Sequence, residues 1–546
     1  MRRRGDSWAP GGRREVCLAV LAALVAAVGL LGSHVTNGGR YLDDWWLGVY
    51  VRFPHQLGFG SAYDYLNFYS GARPGDVLYW LVTYRMFGFH DDLHRGLGVL
   101  LAAGLTTVFY LLLRELRLGR LEAAAVAALS LALPIADSIH FWITPDVAQL
   151  CLGTCAAGYL VALRGLRAST ARARRLRLAS LGLFVVSALF AETMLPAIGL
   201  SLLIYRTRVG WRRAAAWWVG DALIAGVAAI HYAVSEPKRL AGPGGQESYL
   251  NHAWVLVDQA LTLLTGSLVP FVHSRGPVVV GLLVLAGLVA RRARDEPAVR
   301  ALARPWIGAA GLAAALALAS YAIYVPSDPT YQPLVPGVGN RINIGALLPL
   351  SVLLFALVRL FGSLFAARRK WALAAVTTVA WAVVLVGGAT RLEADHWLWD
   401  QAATHQASVL DALHRVLADP PPGSSLLVFN SPGVVTHYER VGEASVNEPV
   451  PVFSTWWELD AAVKLSYGRA DLDAYPIWAY QPPQVACGAH YVYQLGLDSG
   501  MVRHALEYGH VYVVDVAAPS VVRLENQGQC ESVITRATTV RYDLPL

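Results

Sequence analysis

Down to about residue 390, apolar runs of roughly 15–22 residues alternate with short basic connections. A run of that length crosses about 30 Å of hydrocarbon as a helix. The runs predict spans at 16–33, 94–113, 121–136 and 146–163, two short spans sharing 178–205, and further spans at 214–234, 277–290, 305–325, 344–360 and 371–389. The stretch 178–205 has Arg-rich flanks on both sides, so the chain either goes out and returns, breaking near Glu192 and Pro196, or dips in without crossing. Two other apolar stretches read as surface pieces: 76–89 as an interface helix, and 253–272 as a surface helix or re-entrant segment. The two-residue alternation of a closed barrel is missing, and in lipid that leaves helices.

The pattern changes near 390. Charges, prolines and polar residues then spread evenly, a helical stretch covers 396–417, and β-like runs follow at Ser425–Phe429, His490–Gln494, His510–Asp515 and Ser520–Leu524. A segment of about 150 residues can bury a core. The predicted architecture is mainly α: a polytopic membrane helical bundle of about eleven spans over 1–390, with a long first outer loop at 34–92, and a C-terminal extracytoplasmic α/β domain over 391–546. Val16–Leu31 reads as a retained helix rather than a cleaved signal, because it lacks a convincing small-residue cleavage site and ten more spans follow.

Composition supports a membrane protein: 546 residues, 55% hydrophobic, 15% charged, mean hydropathy +0.43. The net charge of +7 would admit nucleic acid as a partner, but its distribution argues against one. Arg2–Arg14, Arg114–Arg120, Arg164–Arg177, Arg206–Arg213, Arg291–Arg304 and Arg359–Lys370 hold 27 of the 45 Lys and Arg residues. The intervening loops are nearly bare of them: 137–146 has none and 326–343, rich in proline, has only Arg341. This is the positive-inside pattern. It predicts a multi-pass plasma-membrane protein with a cytoplasmic N-terminus and its C-terminal domain outside. Arginine far outnumbers lysine, which fits a GC-rich bacterial genome. Of the five cysteines, Cys151 and Cys155 share a face of one span and read as packing residues; Cys487 and Cys530 fall in the tail, either as free thiols or as a disulfide of an oxidising compartment.

Candidate chemistry starts with Asp43-Asp44, followed by Trp45-Trp46, just past the first span. The pair reads as a general base with an orienting partner, or as two solvated acids beside an interfacial tryptophan belt. Glu192 lies between apolar runs, where a carboxylate costs about 2.5–3.5 kcal/mol by insertion scales; it faces a polar cavity or pairs with a base, or else snorkels or breaks a helix at the membrane lip. Asp137, His140 and Asp146 surround a short turn whose spacing matches no specific metal pattern. Arg341, alone in its loop, suits bidentate binding of a phosphate, or a salt bridge to a loop acid. Arg40 and Arg73 are weaker candidates for the same task. The first loop's aromatic residues, Trp45 among them, either stack on sugar rings or anchor the interface. Walker loops, Gly-rich dinucleotide fingerprints, HExxH and paired CxxC are all missing, which argues against an ATP-driven pump and a nucleotide-sugar enzyme of the soluble kind.

Four segments in this order resemble the GT-C superfamily of membrane glycosyltransferases, and most of all its protein O-mannosyltransferase-like branch. They are Asp43-Asp44; Ala72-Arg73-Pro74-Gly75-Asp76 running on to Phe87-Gly88-Phe89-His90; the turn Pro134 to Asp146; and Ala191-Glu192-Thr193-Met194-Leu195-Pro196 continuing to Leu203-Ile204-Tyr205. The likeness covers roughly 16–210 well and 210–390 by layout only. Ala191 departs from it, standing where such enzymes often carry Lys. The resemblance implies a membrane glycosyltransferase with its site on the outer face; the tail shows no tetratricopeptide repeats and no obvious β-trefoil, so donor and acceptor do not carry over from the mannosyltransferases. The missing nucleotide motifs fit a polyprenyl-phosphate-linked sugar donor, with transfer by inversion to a hydroxyl of a glycan, lipid or protein acceptor. Asp43 or Asp44 would be the base, Arg341 would hold the phosphate, and Glu192 and His140 would line the cavity. A divalent metal is compatible with the acids and not required by them; membrane lipids are partners and nucleic acid is not. A transporter or flippase of a lipid-linked or small polar solute remains as an alternative, since intramembrane Glu192 and the broken span suit it. A non-catalytic scaffold with a binding tail is a third.

Overall fold

The computed structural model of the chain describes residues 12–236, 249–268, 275–326, 338–365, 370–431, 434–435, 450–453, 455–477, 484–495 and 502–539. The Pro243-Gly244-Gly245 stretch, the prolines at 329, 333 and 336 and the first arginines of the N-terminal cluster lie outside them. In chain order the helices are α1 (Arg13–Asn37), α2 (Asp43–Arg52), α3 (Ala62–Ser70), α4 (Pro74–Phe87), α5 (Asp91–Glu115), α6 (Arg120–Ala132), α7 (Ser138–Phe141), α8 (Val147–Gly165), α9 (Thr170–Phe190), α10 (Leu195–Gly199), α11 (Ser201–Arg206), α12 (Trp211–Ser235), α13 (Tyr249–Leu268), α14 (Arg275–Asp295), α15 (Pro297–Ala322), α16 (Ile344–Ser363), α17 (Lys370–Val416), α18 (Trp456–Tyr467) and α19 (Gln527–Thr539).

Among the described residues, seven helical segments are long and apolar enough to cross a bilayer: α1, α5, Thr144–Gly165, α12, α15, Asn340–Ser363 and Ala372–Val416. The protein is a multi-pass membrane protein. The other predicted spans are present as shorter or more basic helices, α6, α9, α10 with α11, and α14. The basic connections gather at one end of the bundle, where Glu15 of α1 pairs with Arg114 at 2.7 Å and Arg120 at 3.2 Å, and Glu122 pairs with Arg359 at 3.3 Å. Leu18, Val25, Val28, Val219, Leu223, Val227 and Ile230 point outward on α1 and α12, as expected of a lipid-facing surface. The buried stripe of α1 is Ala23, Ala27, Leu31 and His34, the spacing of one helical face. Asp221, fully buried in α12, is matched by Arg177 at 2.7 Å and by the hydroxyls of Ser201 and Tyr205 at 2.7 and 2.6 Å.

At the opposite end, the 34–92 loop folds into three helices, α2, α3 and α4, with α4 where the interface helix is predicted. The break in the 178–205 stretch falls at Ala191, which is extended at φ −160 and ψ 152 between α9 and a 3-10 turn, Glu192–Met194. Span eleven and the tail's first helix, predicted as separate, are one 47-residue helix, α17. Nothing in 390–396 breaks it, since the fall in hydropathy there comes from charged residues that helices tolerate well.

The tail builds a four-stranded sheet in the order β4-β1-β8-β9 from β1 (Ser425–Phe429), β4 (Asp473–Ile477), β8 (Val511–Asp515) and β9 (Ser520–Leu524). β1 is parallel to β4 and β8, while β8 and β9 are antiparallel. β2 (Val434–Val435) pairs with β3 (Val450–Pro451), and β5 (Val485–Cys487), β6 (Tyr491–Leu495) and β7 (Val502–Glu507) form an antiparallel meander. The tail and the bundle share one core: Ala27, Leu31, Tyr41 and Trp399 pack in the same cluster as Leu426, Val428, Phe453 and Leu459. α18 lies on α2 through Val49, Phe53, Ala461 and Leu465.

Cys487 and Cys530 are joined as a disulfide that ties β5 to α19 across 43 residues. Closing a loop of that length restricts the unfolded chain. Replacing both cysteines with serine is expected to cost about 2–4 kcal/mol of tail stability, read as an earlier loss of the near-ultraviolet circular dichroism of the detergent-solubilised protein on heating, with the membrane helices' far-ultraviolet signal unchanged.

Candidate active site

A cavity of about 530 Å³ opens at the end of the bundle opposite the basic connections, a size that suits a small ligand. All four segments singled out in the sequence reach it. Asp43 and Leu42 come from the start of α2; Arg73, Asp76 and Trp80 from α4 and its cap; Trp142, Thr144 and Pro145 from the turn after α7; and Ala191, Glu192 and Thr193 from the break after α9. Arg341 and Ile342 close it from the 3-10 turn Val338–Asn343, and Thr455 and Trp457 enter from the tail.

The adjacent aspartates take different places. Asp44 is buried and does not line the cavity. Its Oδ1 accepts the Thr144 backbone N–H at 2.8 Å and the Thr144 hydroxyl, and its Oδ2 accepts the Tyr41 N–H at 3.0 Å. Burial pushes its carboxyl up to about 7 against the pull of these bonds, with the charge of Asp43 adding to the rise. Asp43 is half-buried and faces the cavity. Between them and the first span, Leu42 has a φ of 41°, a backbone region that non-glycine residues rarely adopt. Its N–H donates to Glu458 Oε1 of α18 at 3.2 Å, so the tail helps hold the turn that aims Asp43.

Glu192 both faces the cavity and pairs with a base, and the base is Arg73, which the sequence did not single out as its partner. Arg73 donates from Nε to Oε2 at 2.9 Å and from Nη2 to Oε1 at 2.6 Å, a bidentate pair joining the start of α4 to the break after α9. Gly75 permits the approach: a Cβ there would lie 2.8 Å from the Leu189 carbonyl oxygen. Arg341 lies with its guanidinium 5.5 Å from the Trp142 ring centroid, in a cation–π contact. The asparagines on either side fix its turn. Asn340 accepts the Ser138 N–H at 3.2 Å and donates to Asp137, and Asn343 donates to the Ile135 carbonyl at 2.6 Å.

The remaining candidates lie off the cavity. Arg40 donates to Asp91 Oδ1 at 2.8 Å and to the Phe89 carbonyl at 3.1 Å. Trp45 packs against Phe453 of the tail, 6.1 Å between ring centroids. Asp146 is buried and accepts from Gln149 at 3.1 Å. Both ring nitrogens of His140 are shut off from solvent without a hydrogen-bond partner, and burial lowers the imidazole to about 4. Asp137 is held by Trp399 Nε1 at 2.9 Å and by Asn340. Asp137, His140 and Asp146 do not converge as ligands; among the described residues the one group that does is His34, His396 and Asp400. Sequence reasoning missed Asp76, Thr455 and Trp457 as lining residues and Glu458 as a brace. Only Asp76 had a signal, its place two residues past Pro74.

Removing the Asp44 carboxylate leaves buried donors unsatisfied, at about 1–3 kcal/mol for each group. Asp44→Ala is therefore expected to lower the thermal midpoint of the solubilised protein clearly more than Asp43→Ala does. Equal midpoints for the two variants would show that Asp44 is not an anchor.

No protein-family model and no curated protein matches the chain. Among solved structures it is similar to ArnT from Cupriavidus metallidurans in the apo state, with a TM-score of 0.40 and 14% identity over 85% of this chain and 86% of that one.

Proposed function

We propose that the protein is a membrane glycosyltransferase of the GT-C type, moving a sugar from a polyprenyl-phosphate donor to an acceptor hydroxyl in this cavity. One observation carries the reading. Asp43, Arg73, Glu192 and Arg341, drawn from four separate stretches and chosen for their chemistry, border the same cavity. The segments that resemble the O-mannosyltransferase-like branch all contribute to its wall, which a chance likeness would not require. The basic connections lie at the far end, so by the positive-inside rule the cavity opens outside the cytoplasm.

In this reading Asp43 is the general base. It takes the acceptor's hydroxyl proton as that oxygen attacks the anomeric carbon, and the bond from that carbon to the phosphate oxygen breaks on the opposite face, inverting the centre. The polyprenyl phosphate leaves with the electron pair, and Arg341 meets the charge that develops on it. Arg73 is already engaged by Glu192, so the pair shapes the wall and adds little net charge. Trp457 and Thr455, from the tail, complete the cavity wall. Asp76 lies 4.0 Å from Arg73 and steadies it from the other side.

Loss of a general base typically costs 10²–10⁴-fold in rate. Asp43→Asn should lower sugar transfer in isolated membranes by that order while the protein stays folded, and Arg341→Gln should lower it as well. Full turnover by Asp43→Asn would remove the base from the mechanism. Movement of a labelled lipid-linked sugar across vesicles holding the wild-type protein, without formation of a glycosylated product, would favour the transporter instead.

A further inference from the structure

Away from the cavity, where the last turn of α1 meets α17, His34, His396 and Asp400 bring one ligand atom each to within 4.8 Å of one another. His396 and Asp400 are four residues apart on one helix and so share a face. None of the three lines the cavity.

One carboxylate shared by two buried imidazoles calls for an extra proton or a metal ion. His34 Nε2 lies 2.8 Å from the Phe141 carbonyl oxygen, which can only accept, so Nε2 carries the hydrogen. In a neutral imidazole that leaves a lone pair on Nδ1, and Nδ1 faces Asp400 Oδ1 at 2.8 Å. Two electron pairs then face each other unless a proton or a metal ion lies between them. On the other side, His396 Nε2 is buried and lies 3.1 Å from Asp400 Oδ2, outside hydrogen-bond geometry and with no other partner. His34 and His396 are 2% and 4% exposed, too deep for bulk water to repair either mismatch, while the Asp400 side chain at 20% keeps one route to solvent open.

We infer that His34, His396 and Asp400 bind a divalent transition cation of zinc's class. Two imidazole nitrogens and one carboxylate oxygen make a three-ligand zinc set with a fourth position open to water. Imidazoles select against magnesium and calcium. Zinc–ligand bonds of about 2.0–2.2 Å place tetrahedral ligand atoms about 3.3 Å apart; the two imidazole–carboxylate separations, 2.8 and 3.1 Å, are a few tenths of an ångström short of that, while the three ligand atoms together lie within 4.8 Å, so the two imidazoles would draw together on the ion. The Phe141 carbonyl fixes the His34 tautomer, and Glu393 lies 3.7 Å from His396 Nδ1. The Phe141 ring stacks on His396 at 5.1 Å and 11°. The ion would thus lock α1, α17 and the turn that carries Trp142 and Thr144, steadying one wall of the cavity without touching substrate.

The test uses the full-length protein, untagged, in detergent and stripped with a chelator. Titrated with cobalt(II), it should take up one ion per chain with the visible absorption of four-coordinate cobalt, and zinc should displace that absorption and raise the thermal midpoint. His396→Gln and Asp400→Asn should lose the absorption, while His55→Gln, at an exposed histidine, should keep it. A wild-type protein that gives no four-coordinate cobalt spectrum overturns the site, whether or not a variant folds, and leaves the cluster as a proton-bridged brace. A spectrum unchanged in His396→Gln overturns it equally.

Discussion

The acceptance of three hydrogen bonds by the buried Asp44 carboxylate is the contact on which the site depends. It binds the start of α2 to the turn at Thr144, two segments 100 residues apart. Tyr41, three residues before Asp44, extends the tie: its hydroxyl donates to the Trp399 carbonyl at 2.7 Å, and its own carbonyl accepts the Trp142 indole N–H at 2.9 Å. Trp399 in turn donates to Asp137. The first loop, the turn before α8 and α17 are thereby joined through polar groups that are largely buried. In such a setting each missing partner costs more than each bond gains, so the arrangement is specific rather than merely stable. The neighbouring Asp43 owes its direction to this anchor: with Asp44 turned into the protein, the residue before it on the helix is turned toward the cavity.

Holding Asp43 there has a local cost. Leu42 sits at positive φ, and such a residue is strained by about 1–3 kcal/mol. Contacts on either side offset the strain, with Asp44 accepting from Tyr41 and Glu458 accepting from Leu42. Glu458 also accepts from Gln406 of α17 at 3.3 Å. The tail is therefore part of the site's frame. It supplies Trp457 to the wall, Glu458 to the strained turn and Leu465 to the close face of Gly48, where a Cβ would come within 3.1 Å of it.

The sequence made the helices legible because lipid imposes a strong length and hydropathy rule; even the broken stretch at 178–205 followed from arginines on both flanks. What it hid has a common cause. α17 runs unbroken through the fall in hydropathy near 390 because helix propensity does not register the membrane surface. β1, β8 and β9 were legible as compact runs rich in valine and leucine. β4 was not, since it contains Pro476, which is tolerated at the sheet's edge; nor was β7, whose residues are mostly exposed. Within the site, the residue types at 43, 73, 192 and 341 drew attention by themselves. Their pairing did not, because it spans over a hundred residues. Ala191 removed the neighbour expected to balance Glu192, and nothing local pointed to Arg73 as its replacement.

That replacement bears on how the cavity treats an anion. A bidentate arginine–carboxylate pair satisfies both partners in place, and prying it open exposes two charges in a poorly solvated site. Arg73 can therefore turn to a phosphate only by giving up Glu192. Arg341 is placed differently. It stacks on Trp142, and its planar fork of N–H donors matches the geometry of phosphate oxygens. Trp142 is pinned through Tyr41 to the anchor that aims Asp43, and the Arg341 turn is pinned through Asn340 and Asn343 to the turn that begins at Pro134. The acid and the arginine are thus positioned by one connected frame. The proposed displacement, which moves a proton to one and negative charge toward the other, needs such a frame, because both groups must then keep their separation through the reaction.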